Sequence, residues 1–199
     1  MPDLSRYKGI VFDMDGTLID SMGAHGKAWQ QTSEQHGFPY DGTYIHDLGG
    51  VPTREIVKLL NEKYGLSLDL DAVTETKRQA FLKLEGSATV IDATFAVMQR
   101  YQGILKMGVG TGSERNNAIR MLTETGLLDR VETVVTASDV THGKPHGETF
   151  LTVAHNMGLQ AKDCVVFEDT EIGRQAAQNA GMDCIMVING KISPEPLKP

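Results

Sequence analysis

Hydrophobic and polar positions along the chain fall into two alternating textures. Short apolar runs rich in valine and isoleucine recur at Gly9–Asp13, Leu105–Gly110, Glu132–Ala137, Cys164–Glu168 and Cys184–Ile188. Runs of this length read as strands buried on both faces. Between them stand longer stretches with apolar residues three and four apart: "RNNAIRMLTETG" (115–126), "GETFLTVAHNMG" (147–158) and "IGRQAAQNAG" (172–181). That spacing predicts helices, each closed by a glycine suited to a C-terminal cap. Strands alternating with helices predict a parallel sheet covered on both faces. Its ligands should bind beyond the carboxyl ends of the strands.

One interval breaks the rhythm. From Asp20 to Leu84 no strand pattern occurs, and three helical patterns replace it: "SMGAHGKAWQQTSEQHG", "TREIVKLLNEKYG" and "DLDAVTETKRQAFLKLEG". Such a run predicts an inserted helical cap over residues 20–85, with 1–19 and 86–199 forming the core domain. Trp29, flanked by apolar residues on the first of these helices, is expected to pack in a core. The Pro-rich tail "SPEPLKP" is expected to fray.

Composition narrows the picture. A chain of 199 residues with 40% apolar residues suits one core domain carrying a modest insertion. Lys plus Arg number 19 against 26 for Asp plus Glu, a formal charge of −7, which argues against a nucleic-acid partner. An anionic small molecule stays compatible, because a few local cations can hold one phosphate. Cys164 and Cys184 lie inside apolar runs and are expected to be buried free thiols. The opening "MPDLSRYKG" has no apolar leader and no run reaches the length of a membrane span. The expected form is a cytoplasmic monomer without a membrane partner.

The chemistry gathers where the strands end. The first run stops in "DMDGT", placing Asp13 and Asp15 side by side although each raises the cost of ionising the other. The second ends in "GVGTGS", bringing Thr111, Gly112 and Ser113 to its tip. Lys144 follows the third and Glu168-Asp169 end the fourth. Carboxylates crowded at one point call for a cation, and oxygen-only ligands favour Mg²⁺ over a transition metal. A metal beside Lys144 would attract a phosphoryl group, with backbone N–H groups near Thr17 and Gly112 holding its oxygens. Asp13 can then act as nucleophile and Asp15 as acid and base. Taken singly, each of these features is ordinary: an Asp-Gly turn, a polar loop, a surface lysine, acids at a helix start. Their order and their shared position at strand ends give them meaning.

With "DMDGT", "VGTGS", "GKP" and "VVFEDT" in this order, the sequence resembles the haloacid dehalogenase superfamily. The resemblance implies a Rossmann-like core with an inserted type 1 cap, and phosphatase activity through an aspartyl-phosphate. It implies Asp13 as nucleophile, Asp15 as acid/base, and Mg²⁺ held by Asp13, the Asp15 carbonyl and Asp169 with Glu168 nearby. Thr111 and Lys144 would bind the phosphoryl group. A dehalogenase proper lacks the second aspartate, so Asp15 argues for phosphoryl transfer. Within the superfamily, "DSMGAHGKAW" and "GGVPTREI" look like the β-phosphoglucomutase group and its sugar-phosphate phosphatase relatives. His25 falls where that group carries a cap-hinge histidine.

The mutase's arginine for the far phosphate falls at Thr53 or Arg54, without a clean match, which favours hydrolysis of small sugar phosphates, fructose 1-phosphate among them. A phosphomutase and a non-catalytic binding protein are the alternatives. "KPHGETF" departs from the family's usual Lys-Pro-x-Pro. His36, His46, His142, His146 and His155 show no ligand spacing near the acids and are expected to be structural. Lys58 and Lys77 read as solvated charges, and Arg54 as the cap residue best placed to meet substrate.

Overall fold

The computed structural model describes residues 2–84 and 89–199. Strand β1 (Gly9–Phe12) leads through a two-residue strand β2 (Ile19–Asp20) into four helices. These are α1 (Met22–His36), α2 (Gly42–Asp47), α3 (Thr53–Tyr64) and α4 (Leu70–Leu82). Strand β3 (Thr89–Val90) then pairs antiparallel with β2. From there helices and strands alternate: α5 (Asp92–Tyr101), β4 (Lys106–Gly110), α6 (Arg115–Glu124), β5 (Thr133–Val135), α7 (Glu148–Asn156) and β6 (Cys164–Glu168). The chain closes with α8 (Glu171–Asn179), β7 (Asp183–Ile188) and β8 (Lys191–Ile192).

The main sheet runs β5-β4-β1-β6-β7-β8 and is parallel apart from β8. β1 lies at its centre, with β4 on one side and β6 on the other, so the chain reverses its direction of winding there. In open α/β sheets such a switch point opens a crevice at the carboxyl edge. Side-chain alternation sorts the sheet into two faces. Ile10 and Phe12 join Val109, Val165, Phe167 and Ile185 in one core, while Val11 joins Phe150, Val153 and Val166 in the other. Burying each large apolar side chain contributes about 1.5–3 kcal/mol. Cys164 and Cys184 are buried free thiols, as their apolar settings implied.

The helices α1 to α4 build a further cluster from Trp29, Phe38, Ile45, Leu48, Val57, Leu60 and Val73. Their boundaries follow from local chemistry. Asp41 accepts from Tyr44 N at 3.0 Å to cap α2, and Asp69 caps α4 through Asp71 N and Ala72 N. Gly37 and Gly65, both left-handed, stop α1 and α3. The expected division at residues 85 and 86 lies outside the described residues.

The structure departs from the sequence reading in three places. Helix α2 and the β2–β3 ribbon are too short to impose a period. Helix α5 buries Val97, Met98 and Tyr101, but its first buried position is the polar Thr94. The tail is not frayed: Leu197 and Cys184 exchange two backbone hydrogen bonds, of 2.9 and 2.7 Å, which tie it to β7. Among the described residues no helix is long and apolar enough to cross a membrane.

Candidate active site

Asp13 follows the last residue of β1 and its N–H still donates to the Phe167 carbonyl, at 2.9 Å. Its carboxylate, 2% exposed, therefore starts from a rigid frame at the crevice. Lys144 Nζ, fully buried, donates to Asp13 Oδ1 at 2.6 Å and to Glu168 Oε1 at 2.9 Å. The other Glu168 oxygen accepts from Thr170 N and Thr170 Oγ1, at 2.6 and 2.9 Å. Asp169 accepts from Thr17 Oγ1 at 3.1 Å. Between Asp13 and Thr17 the chain turns at Gly16, with φ at +87°, where a β-carbon would lie 2.2 Å from Asp169 Oδ2. Only glycine meets both demands.

Three acids crowd here around one lysine that bonds two of them. Burial raises Asp13 and Asp169 well above the ordinary carboxylate range, against the pull of Lys144. Burial alone would lower Lys144, but Asp13 and Glu168 hold its ammonium above the usual lysine range. Carboxylate oxygens of Asp13, Glu168 and Asp169 lie within 4.8 Å of one another. Asp13 Oδ2 is buried without a hydrogen-bond partner among the described residues. An unsatisfied anionic oxygen beside two more carboxylates matches a hard divalent cation, and Mg²⁺ fits this donor set.

Asp15 has a different environment. Ser21 Oγ donates to Oδ1 at 2.6 Å, and Ser113 Oγ and Thr111 Oγ1 donate to Oδ2 at 2.8 and 3.3 Å. His25 Nε2 stands 3.1 Å from Oδ1. Burial would raise this carboxyl, yet His25 and the serine hydroxyls hold it well below the usual range. Lys77 Nζ donates to His25 Nδ1 at 2.8 Å. Since an amine in this contact makes Nδ1 the acceptor, the ring hydrogen is assigned to Nε2 and points at Asp15. Burial, and then the Lys77 charge, push His25 down. Phe81 stacks on it with centroids 4.2 Å apart.

A cavity of about 180 Å³ adjoins Asp13, Asp15, His25 and Thr111, and α1 and α4 wall it with Trp29, Lys77 and Phe81. Gly112 also lines it, and a β-carbon there would meet the Gly50 carbonyl at 2.1 Å. Not every expected residue reaches this space. Thr17 is fully buried with its hydroxyl on Asp169, so it supports an acid and does not face the cavity. Arg54 is half-exposed, pairs with Asp71 at 2.9 Å, and borders an adjoining, larger cavity that Lys144 also lines; Thr53 lines both cavities. Lys77, expected to be a solvated charge, is buried beside His25. The sequence did carry a signal for it: Lys77 continues the buried stripe of Val73, Ala80 and Phe81. Ser21, whose role was not foreseen, precedes α1 without capping it because its hydroxyl turns to Asp15.

A family model described as haloacid dehalogenase-like hydrolase matches residues 10–187. The chain is 38% identical over 182 residues to fructose-1-phosphate phosphatase YqaB of Escherichia coli, covering 92% of this chain and 97% of that protein. It is 26% identical over 194 residues to β-phosphoglucomutase of Bacillus subtilis, covering 92% and 84% of the two chains. Among solved structures, a hydrolase from Pseudomonas syringae shares the fold with a TM-score of 0.84 at 24% identity, over 92% of this chain and 85% of that one.

Proposed function

The chain belongs to the haloacid dehalogenase-like hydrolases, and from that premise we propose that it hydrolyses small sugar phosphates through a phosphorylated Asp13. The observation that carries the reading is the contrast between two neighbouring acids. Asp13 has one oxygen fixed by Lys144 and the other unpartnered, whereas Asp15 is surrounded by hydroxyl and imidazole donors. Asp13 is thus held for reaction and Asp15 for proton traffic.

Mg²⁺ would be held by Asp13, Asp169 and the Asp15 carbonyl, with Glu168 one step behind because Lys144 and Thr170 occupy its oxygens. When bound, the cation neutralises the phosphoryl charge and the crowded acids. Thr111, Ser113 and backbone N–H groups near Gly112 would take the phosphoryl oxygens. Drawing those hydroxyls away, and placing a dianion nearby, raises the proton affinity of Asp15. A carboxylate oxygen of Asp13 then bonds to phosphorus as the ester P–O bond breaks, and the Asp15 proton passes to the departing alcohol. In the second half, Asp15 takes a proton from water, the water oxygen bonds to phosphorus, and the bond to Asp13 breaks. Residues 20–85 would serve as the cap that keeps bulk water out during both steps.

The similarity to β-phosphoglucomutase favours one second reading, in which phosphate returns to the sugar. A mutase needs a grip for a second phosphate, and Arg54 is paired with Asp71 and does not line the cavity at Asp13. A screen of phosphorylated metabolites with Mg²⁺, scored by phosphate release and including β-glucose 1-phosphate, separates the two. Free phosphate supports the hydrolase; glucose 6-phosphate without phosphate supports the mutase. A purely binding role is disfavoured by the retention of a carboxylate cluster that is costly to bury.

A further inference from the structure

The departure at "KPHGETF" has a structural consequence of its own. His142 and His146 lie on the segment between β5 and α7 and Glu148 opens α7, and one ligand atom from each falls within 4.8 Å of the others. Glu148 is preset: Oε1 accepts from Thr141 N and Oε2 from His142 N, both at 2.9 Å. His142 Nδ1 meets Oε2 at 3.1 Å, and His146 Nδ1 accepts from Glu148 N at 3.2 Å. The two rings stand 5.0 Å apart at their centroids, beside a cavity of about 960 Å³.

We propose that His142, His146 and Glu148 form a second metal site, selective for a borderline divalent cation, Zn²⁺ above all. Two imidazole nitrogens and one carboxylate oxygen are a donor set that zinc takes in sites with an open fourth position. The oxygen-only cluster at Asp13 selects a hard ion instead, so the two sites differ in the metal they hold. Ligand atoms on a tetrahedral ion are about 3.3 Å apart, so closing the site takes small rotations of two exposed rings, with the His142–Glu148 hydrogen bond exchanged for metal bonds and His146 presenting Nε2 or releasing the Glu148 N–H from Nδ1. His142 and His146 stand two residues to either side of Lys144. A cation joining them staples the loop that delivers the ammonium to Asp13.

Calorimetric titration with Zn²⁺ alone, in buffer containing excess Mg²⁺, tests the site without reference to catalysis. One zinc per chain is expected, with affinity reduced at least about tenfold in His142→Ala and in His146→Ala, and retained in Asp169→Asn. Both histidines are exposed, so folding of the variants is checked simply by circular dichroism. Unchanged zinc affinity in both histidine variants overturns the proposal, as does a loss of zinc binding confined to Asp169→Asn.

Discussion

Lys77 Nζ donates to His25 Nδ1 at 2.8 Å, and through this contact α4 fixes the ring that faces Asp15. Helix α4 thereby sets the tautomer of a ring on α1 that faces an acid at the end of β1. The cavity is completed from both sides: acids and hydroxyls come from β1 and β4, while the imidazole and its amine come from α1 and α4.

Lys77→Met keeps the apolar stem and removes the donor. Its kcat/KM toward an aryl phosphate is expected to fall about tenfold or more, since positioned proton transfer contributes about 10²–10⁴-fold. A pH series separates this from a packing defect. Burial pushes Lys77 down to about 8, so its charge is present below that pH and lost above it. The KM for a dianionic substrate should rise through pH 8 in the native protein and stay flat in Lys77→Met.

Mg²⁺ should raise the melting temperature by several degrees. A ligand at a hundred times its Kd adds about 2.7 kcal/mol, and each kcal/mol is worth about 2–4 °C in a chain of this size. Asp169→Asn should abolish most of that rise. Without metal the same variant should melt no lower than the native protein, because it removes one of three crowded carboxylates. Scanning calorimetry with Mg²⁺ and with a chelator reads both effects.

Acid stability has a separate source at the far edge of the sheet. Asp183 accepts from Tyr7 Oη and from Lys198 Nζ, and pairs with Arg6. Partial burial would raise its carboxyl, yet the Tyr7 and Lys198 donors hold it below the ordinary value. A depressed carboxyl stabilises the fold above its unfolded pKa, near 4, and loses that contribution as pH falls through the folded value. Asp183→Asn should cost about 1 kcal/mol or less at neutral pH, since its charged partners, Arg6 and Lys198, are exposed. It should also flatten the decline in melting temperature below pH 4.

Arg54→Ala should leave kcat and KM nearly unchanged. Its guanidinium is spent on Asp71 at the surface, and exposed substitutions of this kind shift stability by about 0.5 kcal/mol or less. A large rise in KM for sugar phosphates would show that α3 turns when substrate binds.

Much of this molecule is legible in its sequence because its signals are local. The five buried runs, the glycine caps and the strand-end acids each follow from neighbours a few residues apart. The misreadings come from partners far away along the chain. Lys77 looks solvated until α4 sets it against His25, 52 residues earlier. The Thr17 hydroxyl meets Asp169, 152 residues later, a partner that its own neighbours in the sequence do not announce. A different pattern holds for His142, His146 and Glu148: they are close in sequence but follow no regular ligand spacing, and the turn before α7 gathers them.

The central claim is that Asp13 carries the phosphoryl group. Rapid acid quench during turnover of an aryl phosphate with Mg²⁺, followed by peptide mass mapping, tests it most directly. The account predicts one phosphoryl adduct on the peptide containing Asp13, absent from a folded, inactive Asp13→Asn variant. Full turnover by Asp13→Asn, or an adduct on any other residue, would contradict it.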